Sequence, residues 1–410
     1  MDDTAVKIGG VPFQEAIDFF RGKLNLPTRA WDDLRGEVHA KAFTVAGATK
    51  ADLLADLRGA VDAAIANGES MGSFRKRFDA VVQQHGWTYK GKRGWRTRVI
   101  YDTNLRTAHM AGKWKQIQRT KDRRPYLQYL DAGDGRVRPL HRQWDETVLR
   151  VDDAWWNTHY PPNGWGCRCT VRTLSQRQLE REGLSVGQAP LVNRSERVNT
   201  RTGEVYGDVP EGIDTGWDYN VGKAWLGPEF SFGEQLAALP KSLRDPALAA
   251  LPGSVGPQLQ AHFRNWAREV LDAPNPRGGE VTVGYLDHVI FNDLEARGMP
   301  PETVAITVQN ARLRQMERGL EQRLGRNLSD IDLMNLAQSL ADPRAVLLDV
   351  RNPALVYVFD AGLEDRLGKF AVRVNFRQRG QVSNSVQSGD VTPLRHLRDR
   401  NQFALIKGEL

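Results

Sequence analysis

Cys167 and Cys169 are the only cysteines in the 410-residue chain, and they close the run Pro161-Pro162-Asn163-Gly164-Trp165-Gly166. Upstream lie His141, in Arg138-Pro139-Leu140-His141, and His159, just after the pair Trp155-Trp156. Side chains of an extended backbone repeat with period two, so both sulfurs would face one side and could share an ion. Cys167, Cys169, His141 and His159 would make the Cys2His2 donor set of a closed structural zinc site, and such a clip would order a turn-rich region. The C-x-C spacing departs from the C-x2–4-C of common zinc modules. The alternative is two reduced thiols in a packed turn, with the histidines hydrogen-bonded locally. A disulfide between the two would close a strained ring. No Cys-His-Asn triad surrounds the thiols, so covalent catalysis is not expected there.

The neighbouring elements must hold these groups. Trp144, Trp155, Trp156 and Trp165 crowd the same stretch, and rings of that size anchor either a core or an interface. Pro161, Pro162 and Gly164 stiffen and then turn the approach to the cysteines, which fits a docking loop as well as a packed corner. Before the motif, Arg96 to Gln118 has helical spacing, and Tyr126 to Leu130 reads as a strand entering the Asp131-Ala132-Gly133-Asp134-Gly135 turn. Residues 1–89 read as helical. Phe13, Ala16, Ile17 and Phe20 share a face, Thr49 to Asp52 has the form of a capping box, Asn67-Gly68 is a stop, and Met71, Phe74, Phe78, Val81 and Val82 form another stripe.

The run LHRQWDETVLRVDDAWWNTHYPPNGWGCRCTV resembles the Mu F-like minor head proteins of tailed bacteriophages. The likeness extends over roughly residues 10–230 and takes in the order of the preceding helices. It implies a structural virion protein of a phage or prophage, acting in head assembly near the portal, with portal and other capsid proteins as partners. Such a protein would be made in the host bacterial cytoplasm and carried in the virion.

Composition agrees with a globular, multidomain α+β protein. Apolar residues make up 40% and charged residues 26%, and at about 150 residues per domain the length suggests two or three. No apolar run is long enough to span a bilayer, and the start Met1-Asp2-Asp3 is unlike a secretory signal, so a soluble, membrane-free protein is expected. The net charge of +7 is uneven: between Lys90 and Arg124 twelve Lys or Arg face Asp102 and Asp122. Such a stretch, with Trp95 and Trp114 for stacking, could follow packaged DNA, or could be a solvated helix face.

Four segments are expected: a helical region at 1–89, a small mixed motif domain at 90–182, a connector at 183–268, and C-terminal helices packed on an antiparallel sheet at 269–410. In the last, helices are expected from Pro301 to Leu324 and from Ser329 to Leu340. Strands are expected at Ala345–Asp349, Leu355–Phe359, Phe370–Phe376 and Val382–Gln387, joined by short turns as a meander.

That layout resembles the phage-associated nuclease-like domains of the barnase, EndoU, colicin and RelE group, which cleave RNA without a metal. The resemblance implies His288, Arg373, Asn375, Asn384 and Ser385 as catalytic candidates. RNA cleavage needs a base or acid such as His288, and cations or donors for the phosphorane, such as Arg373, which with Asn375 would share a strand face. The plainer reading has His288 hydrogen-bonded at a helix start, Arg373 paired with Glu364 or Asp365, and His396 in a terminal basic helix. The alternative function is then a virion-delivered ribonuclease effector, with RNA as partner of the last domain.

Overall fold

The computed structural model describes residues 13–200, 202–226, 230–272, 279–318, 327–378 and 381–410. The chain divides into two compact units, Met1–Leu226 and Gly227–Leu410.

The first unit opens with α1 (Gln14–Arg21), a short parallel pair β1 (Leu24–Asn25) and β2 (Ala42–Phe43), then α2 (Ala51–Asn67), α3 (Met71–His85) and α4 (Arg93–Thr120). The expected Thr49 capping box does not form. Lys50 takes the cap position of α2 without a side-chain bond, and only Asp52 complements the first turn. The predicted stop is present, since Gly68 adopts φ 64°, open to glycine without steric cost. Ser70 Oγ accepts from the Ser73 N–H to start α3, and Gly86 ends it in the same left-handed conformation.

At 1.5 Å per residue α4 is about 42 Å long, and α1, α2 and α3 all pack along it. The motif follows as β3 (Tyr126–Leu130), α5 (Pro139–Gln143), β4 (Val148–Arg150), α6 (Trp156–His159), β5 (Thr170–Leu174) and α7 (Gln176–Glu182). Strand β3 pairs antiparallel with β4 on one side and β5 on the other. Then come the hairpin β6 (Arg194–Val198) and β7 (Val205–Pro210), and α8 (Val221–Leu226).

The expected boundaries at 89/90 and 182/183 do not separate cores. Phe20, Leu54 and Phe78 from the helices, Trp114 from α4, Tyr129, Trp156 and Cys167 from the motif, and Ile213, Trp217 and Val221 from beyond it belong to one apolar cluster. The first part of the expected connector is therefore structural. Arg35 pairs with Glu204, and Asp32 accepts from Asn199 and Tyr206, which fastens the hairpin to the segment before β2. Single aromatic anchors in a Gly- and Pro-rich stretch give no periodicity, which is why a connector was expected.

Three histidines of this unit are enclosed. His39 donates its Nε2–H to the Leu34 carbonyl, His109 lies edge-on to Phe13, and His159 lies among tryptophans; burial pushes each down to about 4 from an ordinary 6.5. Between those values the unfolded chain binds protons that the fold refuses. Their contribution is thus fully present above pH 6.5 and is lost as pH falls toward 4. Thermal melts should show a marked loss of stability from pH 7 to pH 4.5, on the order of 2 kcal/mol per histidine, and less of it in His109→Gln. Equal loss in that variant would contradict the assignment.

The second unit carries α9 (Phe230–Ala238), α10 (Lys241–Asp272), β8 (Glu280–Tyr285), α11 (His288–Ala296), β9 (Ala305–Gln309) and α12 (Asn310–Arg318). There follow α13 (Asp330–Met334), α14 (Leu336–Ala341), β10 (Ala345–Asp349), β11 (Ala354–Leu363), β12 (Arg366–Gln378), β13 (Gln381–Pro393), α15 (Leu394–Leu397) and β14 (Phe403–Gly408). Short helices are expected from the sequence at Gly233–Leu239 and Pro257–Leu271; the first corresponds to α9, and the second is the last part of α10, which begins earlier, at Lys241.

Strands β10 to β13 form the expected antiparallel meander. It is the middle of a seven-stranded mixed sheet in the order β14-β10-β11-β12-β13-β9-β8, in which β9 runs parallel to β13. The expected helix at Pro301–Leu324 begins instead with strand β9. Val304, Ala305, Ile306, Thr307 and Val308 are all fully buried, and a β-branched run suits a buried strand. Its end, 319–324, lies outside the described residues. The expected Ser329–Leu340 helix is two short ones meeting at Asn335, with Ser329 Oγ accepting from the Asp332 N–H. Among the described residues no helix is long and apolar enough to cross a membrane.

Candidate metal centre

Helix α5 begins with Pro139 as its first residue, where the missing N–H costs nothing, and this sets His141 inward. Its Nε2 lies 2.8 Å from the Gly212 carbonyl, which can only accept, so the proton resides there. Nδ1 is left as an acceptor facing the sulfurs, 3.4 Å from Cys169 Sγ and 3.7 Å from Cys167 Sγ. A carbonyl that fixes the tautomer from the far side is the usual second-layer partner of a metal-ligating histidine. The ring also stacks on Trp144, with centroids 4.9 Å apart.

All three donor atoms are buried and lie within 4.8 Å of one another. Ligands around one tetrahedral zinc, with Zn–S near 2.3 Å and Zn–N near 2.0 Å, stand about 3.6 Å apart. The nitrogen-to-sulfur spacings therefore match a shared ion. The hydrogen bond from Cys169 holds the Cys167 thiol well below its usual range against its burial. The same bond and burial push Cys169 up, so Cys167 is the more acidic of the two. Arg106 on α4 lies close enough for Asp102, Cys167 and Cys169 to oppose the lowering of its pKa by burial. A cation beside a thiolate pair favours its charged state.

His159 does not join this group. It stacks on Trp155 at 4.4 Å, lies edge-on to Trp144 at 4.8 Å, and shares a 2.8 Å hydrogen bond between Nδ1 and the Thr158 hydroxyl. Helix α6 holds it on the tryptophan side, so the expected Cys2His2 set reduces to Cys2His, with a fourth position for a ligand from outside these residues. Spacing along the chain pointed to His141 and the cysteines. It gave no sign of Gly212, whose contribution is a backbone carbonyl, nor of Arg106.

The hook before the cysteines is fixed at both ends. Asn163 is fully buried; its Oδ1 accepts from the Tyr129 hydroxyl, and its amide donates to the Thr158 and Tyr160 carbonyls. Asp214 accepts from the Trp165 N–H and from Arg138, which also donates to the Trp165 carbonyl. The four tryptophans divide between the two expected roles. Trp144, Trp155 and Trp156 are core, whereas Trp165 is 39% exposed, edge-on to Trp31, which is exposed to the same degree and meets Tyr206.

The basic stretch 90–124 is not one stripe. Arg93 pairs with Asp79 and Arg119 with Glu15, Arg96 donates to the Ala46 and Lys90 carbonyls, Lys113 bonds Thr170, and Arg124 bonds Thr173. Lys90, Lys92 and Arg98 are exposed near one end of α4, with Trp95 beside them, and Lys121 and Arg123 just past the other. The helix separates the two groups by its length.

In the second unit Arg373, Asn375, Asn384 and Ser385 lie together on the β12–β13 pair, but not as a polar cleft. A bulge between Arg373 and Phe376 breaks the two-residue period, so Arg373 and Asn375 do not keep a common face. Asn375, at φ 51°, bonds the Pro300 carbonyl and the Glu302 N–H. Asn384 is fully buried and donates to the Thr303 and Ala305 carbonyls, and Ser385 is fully buried beside it. The two asparagines fasten residues 300–305 to the sheet. Arg373 is exposed over the Phe376 ring and forms no ion pair with Glu364 or Asp365. His288 opens α11 next to its cap Asp287, and no hydrogen bond or ring contact among the described residues joins it to the other four. His396 lies on the short helix α15.

The family described as "Phage Mu protein F like protein" matches residues 55–172, which include the hook and both cysteines. The chain is 32% identical to "Putative capsid assembly protein F" of Escherichia phage Mu over 397 residues, covering 89% of this chain and 87% of that one. It is 29% identical to "Mu-like prophage FluMu F protein" of Haemophilus influenzae, covering 78% and 83%. No solved structure matches at a significant level. With a relative of that identity aligned over nearly its whole length, the chain belongs to the Mu F-like protein family.

Proposed function

We infer that the chain is a minor head protein that acts in capsid assembly near the portal, with the Trp165 hook as its attachment element and zinc as the clip beneath it. The observation that carries this is the hook itself. An exposed indole is mounted on backbone fixed by Asp214 and Arg138 on one side and by two buried thiols facing His141 on the other. A preformed aromatic anchor loses little conformational entropy on binding, and Trp is prominent among residues that dominate interfaces. The name of the phage Mu relative supports the head-assembly setting, and with it residence in the virion after synthesis in the host. Zinc, when bound, would supply order and not reaction chemistry, since His141, Cys167 and Cys169 are sealed from solvent.

Packaged DNA as a further partner rests on the exposed cations at the two ends of α4. The delivered-ribonuclease alternative has no observation of its own, because Asn384 and Ser385 are enclosed and His288 stands apart from Arg373.

A phage or prophage lacking the gene, complemented with the chain carrying Trp31→Ala and Trp165→Ala, tests the reading. Both rings are partly exposed, so the purified variant should fold. Particles should carry far fewer copies, by quantitative mass spectrometry, and yield few infectious heads. Normal copy number and titre would overturn the attachment role.

A further inference from the structure

Strand β14 is the last in its sheet, hydrogen-bonded to β10, and among the described residues no strand lies on its other side. Such an edge presents unpaired N–H and C=O groups, and proteins protect it with charge, proline or cover. Here helix α11 packs against the strand, and the ion pair of Lys407 with Asp287 ties one end. The middle shows its apolar residues: Leu405 is 54% exposed, and Phe403 and Ile406 are half-buried.

Beside the strand an open cleft of about 720 Å³ is lined by Leu347, Leu397, Phe403 and Leu405, with Arg398 and Arg400 among its lining residues. Leu347 and Leu397 belong to the small core cluster of this end of the sheet, so the cleft opens onto apolar interior. Arg398 and Arg400 are exposed and form no ion pair among the described residues; Arg398 donates to the Leu410 carbonyl. Asp399, between them, accepts the Asn401 N–H on its carboxylate and the Phe403 N–H on its backbone carbonyl.

We propose that β14 and this cleft receive an extended acidic segment of a partner protein as an added strand, with alternate apolar side chains in the cleft and carboxylates on Arg398 and Arg400. Main-chain bonds to the free edge would supply affinity. The period of two would supply selectivity, since every second side chain of the incoming strand faces the cleft. Two guanidinium groups set the sign, because each forms its strongest hydrogen bonds with carboxylates.

The test uses the full chain and two capped peptides, one alternating Val and Glu and the other Val and Lys. The Glu peptide should bind saturably by fluorescence anisotropy and slow amide exchange in Phe403–Gly408. Arg398→Glu with Arg400→Glu, both on the surface and harmless to the fold, should weaken it by about tenfold or more. Equal binding of the Lys peptide, slowed exchange elsewhere, or no binding would overturn the proposal. Self-association of the chain through β14, seen by sedimentation as protection of the same amides without peptide, would replace the acidic partner with a second copy.

Discussion

If zinc is the clip, the unmodified chain is expected to retain one zinc through gel filtration, and the chain carrying Cys167→Ala and Cys169→Ala to hold none and to melt well below it. The linkage sets the size: with free zinc a thousandfold above the dissociation constant, binding stabilises the folded state by about 4 kcal/mol. A chelator should bring the unmodified chain down to the level of the double variant, while leaving the variant where it is. His141→Ala should behave like the double variant because it removes the third donor. His159→Gln should keep its zinc, since that ring faces Trp155 and Thr158. Metal that persists without both sulfurs, or a chain that never holds any, would sink the clip and leave a packed thiol pair.

A second large effect is expected from one methyl group at Gly222. This residue lies in α8, where Asn220 Oδ1 accepts from the N–H groups of Gly222 and Lys223. A Cβ there would stand 2.1 Å from Trp114 Cβ, at the root of a buried side chain that cannot swing aside. Either α8 moves off α4 or the indole leaves its place, at a cost of about 3 kcal/mol. Gly222→Ala should therefore lower the melting temperature and shift tryptophan emission to the red. Gly59→Ala is the matched control. It lies inside α2 with nothing within 4 Å of the new carbon, so helix propensity alone should stabilise the fold by up to about 1 kcal/mol. Similar melts for the two variants would refute the packing argument.

Much of the fold was legible where one local signal sufficed. Gly68 marked the end of α2, turn residues marked the meander of β10 to β13, and the apolar stripes of α2 and α3 became the faces they bury. Where the deciding contact is distant in sequence, local reading failed. Ala305 to Gln309 form a strand because β13, some 80 residues on, offers a parallel edge at Asn384 and Ser385. A helix is legible from Pro257 to Leu271, but α10 starts 16 residues earlier, at Lys241, and runs through the prolines at 246, 252 and 257. The expected separation into four segments failed because Ile213, Trp217 and Val221 complete a core begun by α1 to α4.

The site divided in the same way. Close spacing brought Cys167, Cys169 and His141 together, but which imidazole faces the sulfurs depends on ring stacking that no spacing encodes. Arg373 and Asn375 share β12, and Asn384 and Ser385 share β13, whereas His288 lies on α11, and a bulge at Asn375 altered what the β12 pair faces.

The carbonyl of Gly212 has a consequence for biosynthesis. It lies 71 positions after His141, so a ribosome must deliver nearly all of the first unit before the imidazole has the partner that settles where its proton resides. Cysteines emerging earlier meet an unsettled base. A nascent copy truncated before Gly212 therefore lacks the partner that turns the Nδ1 of His141 toward Cys167 and Cys169.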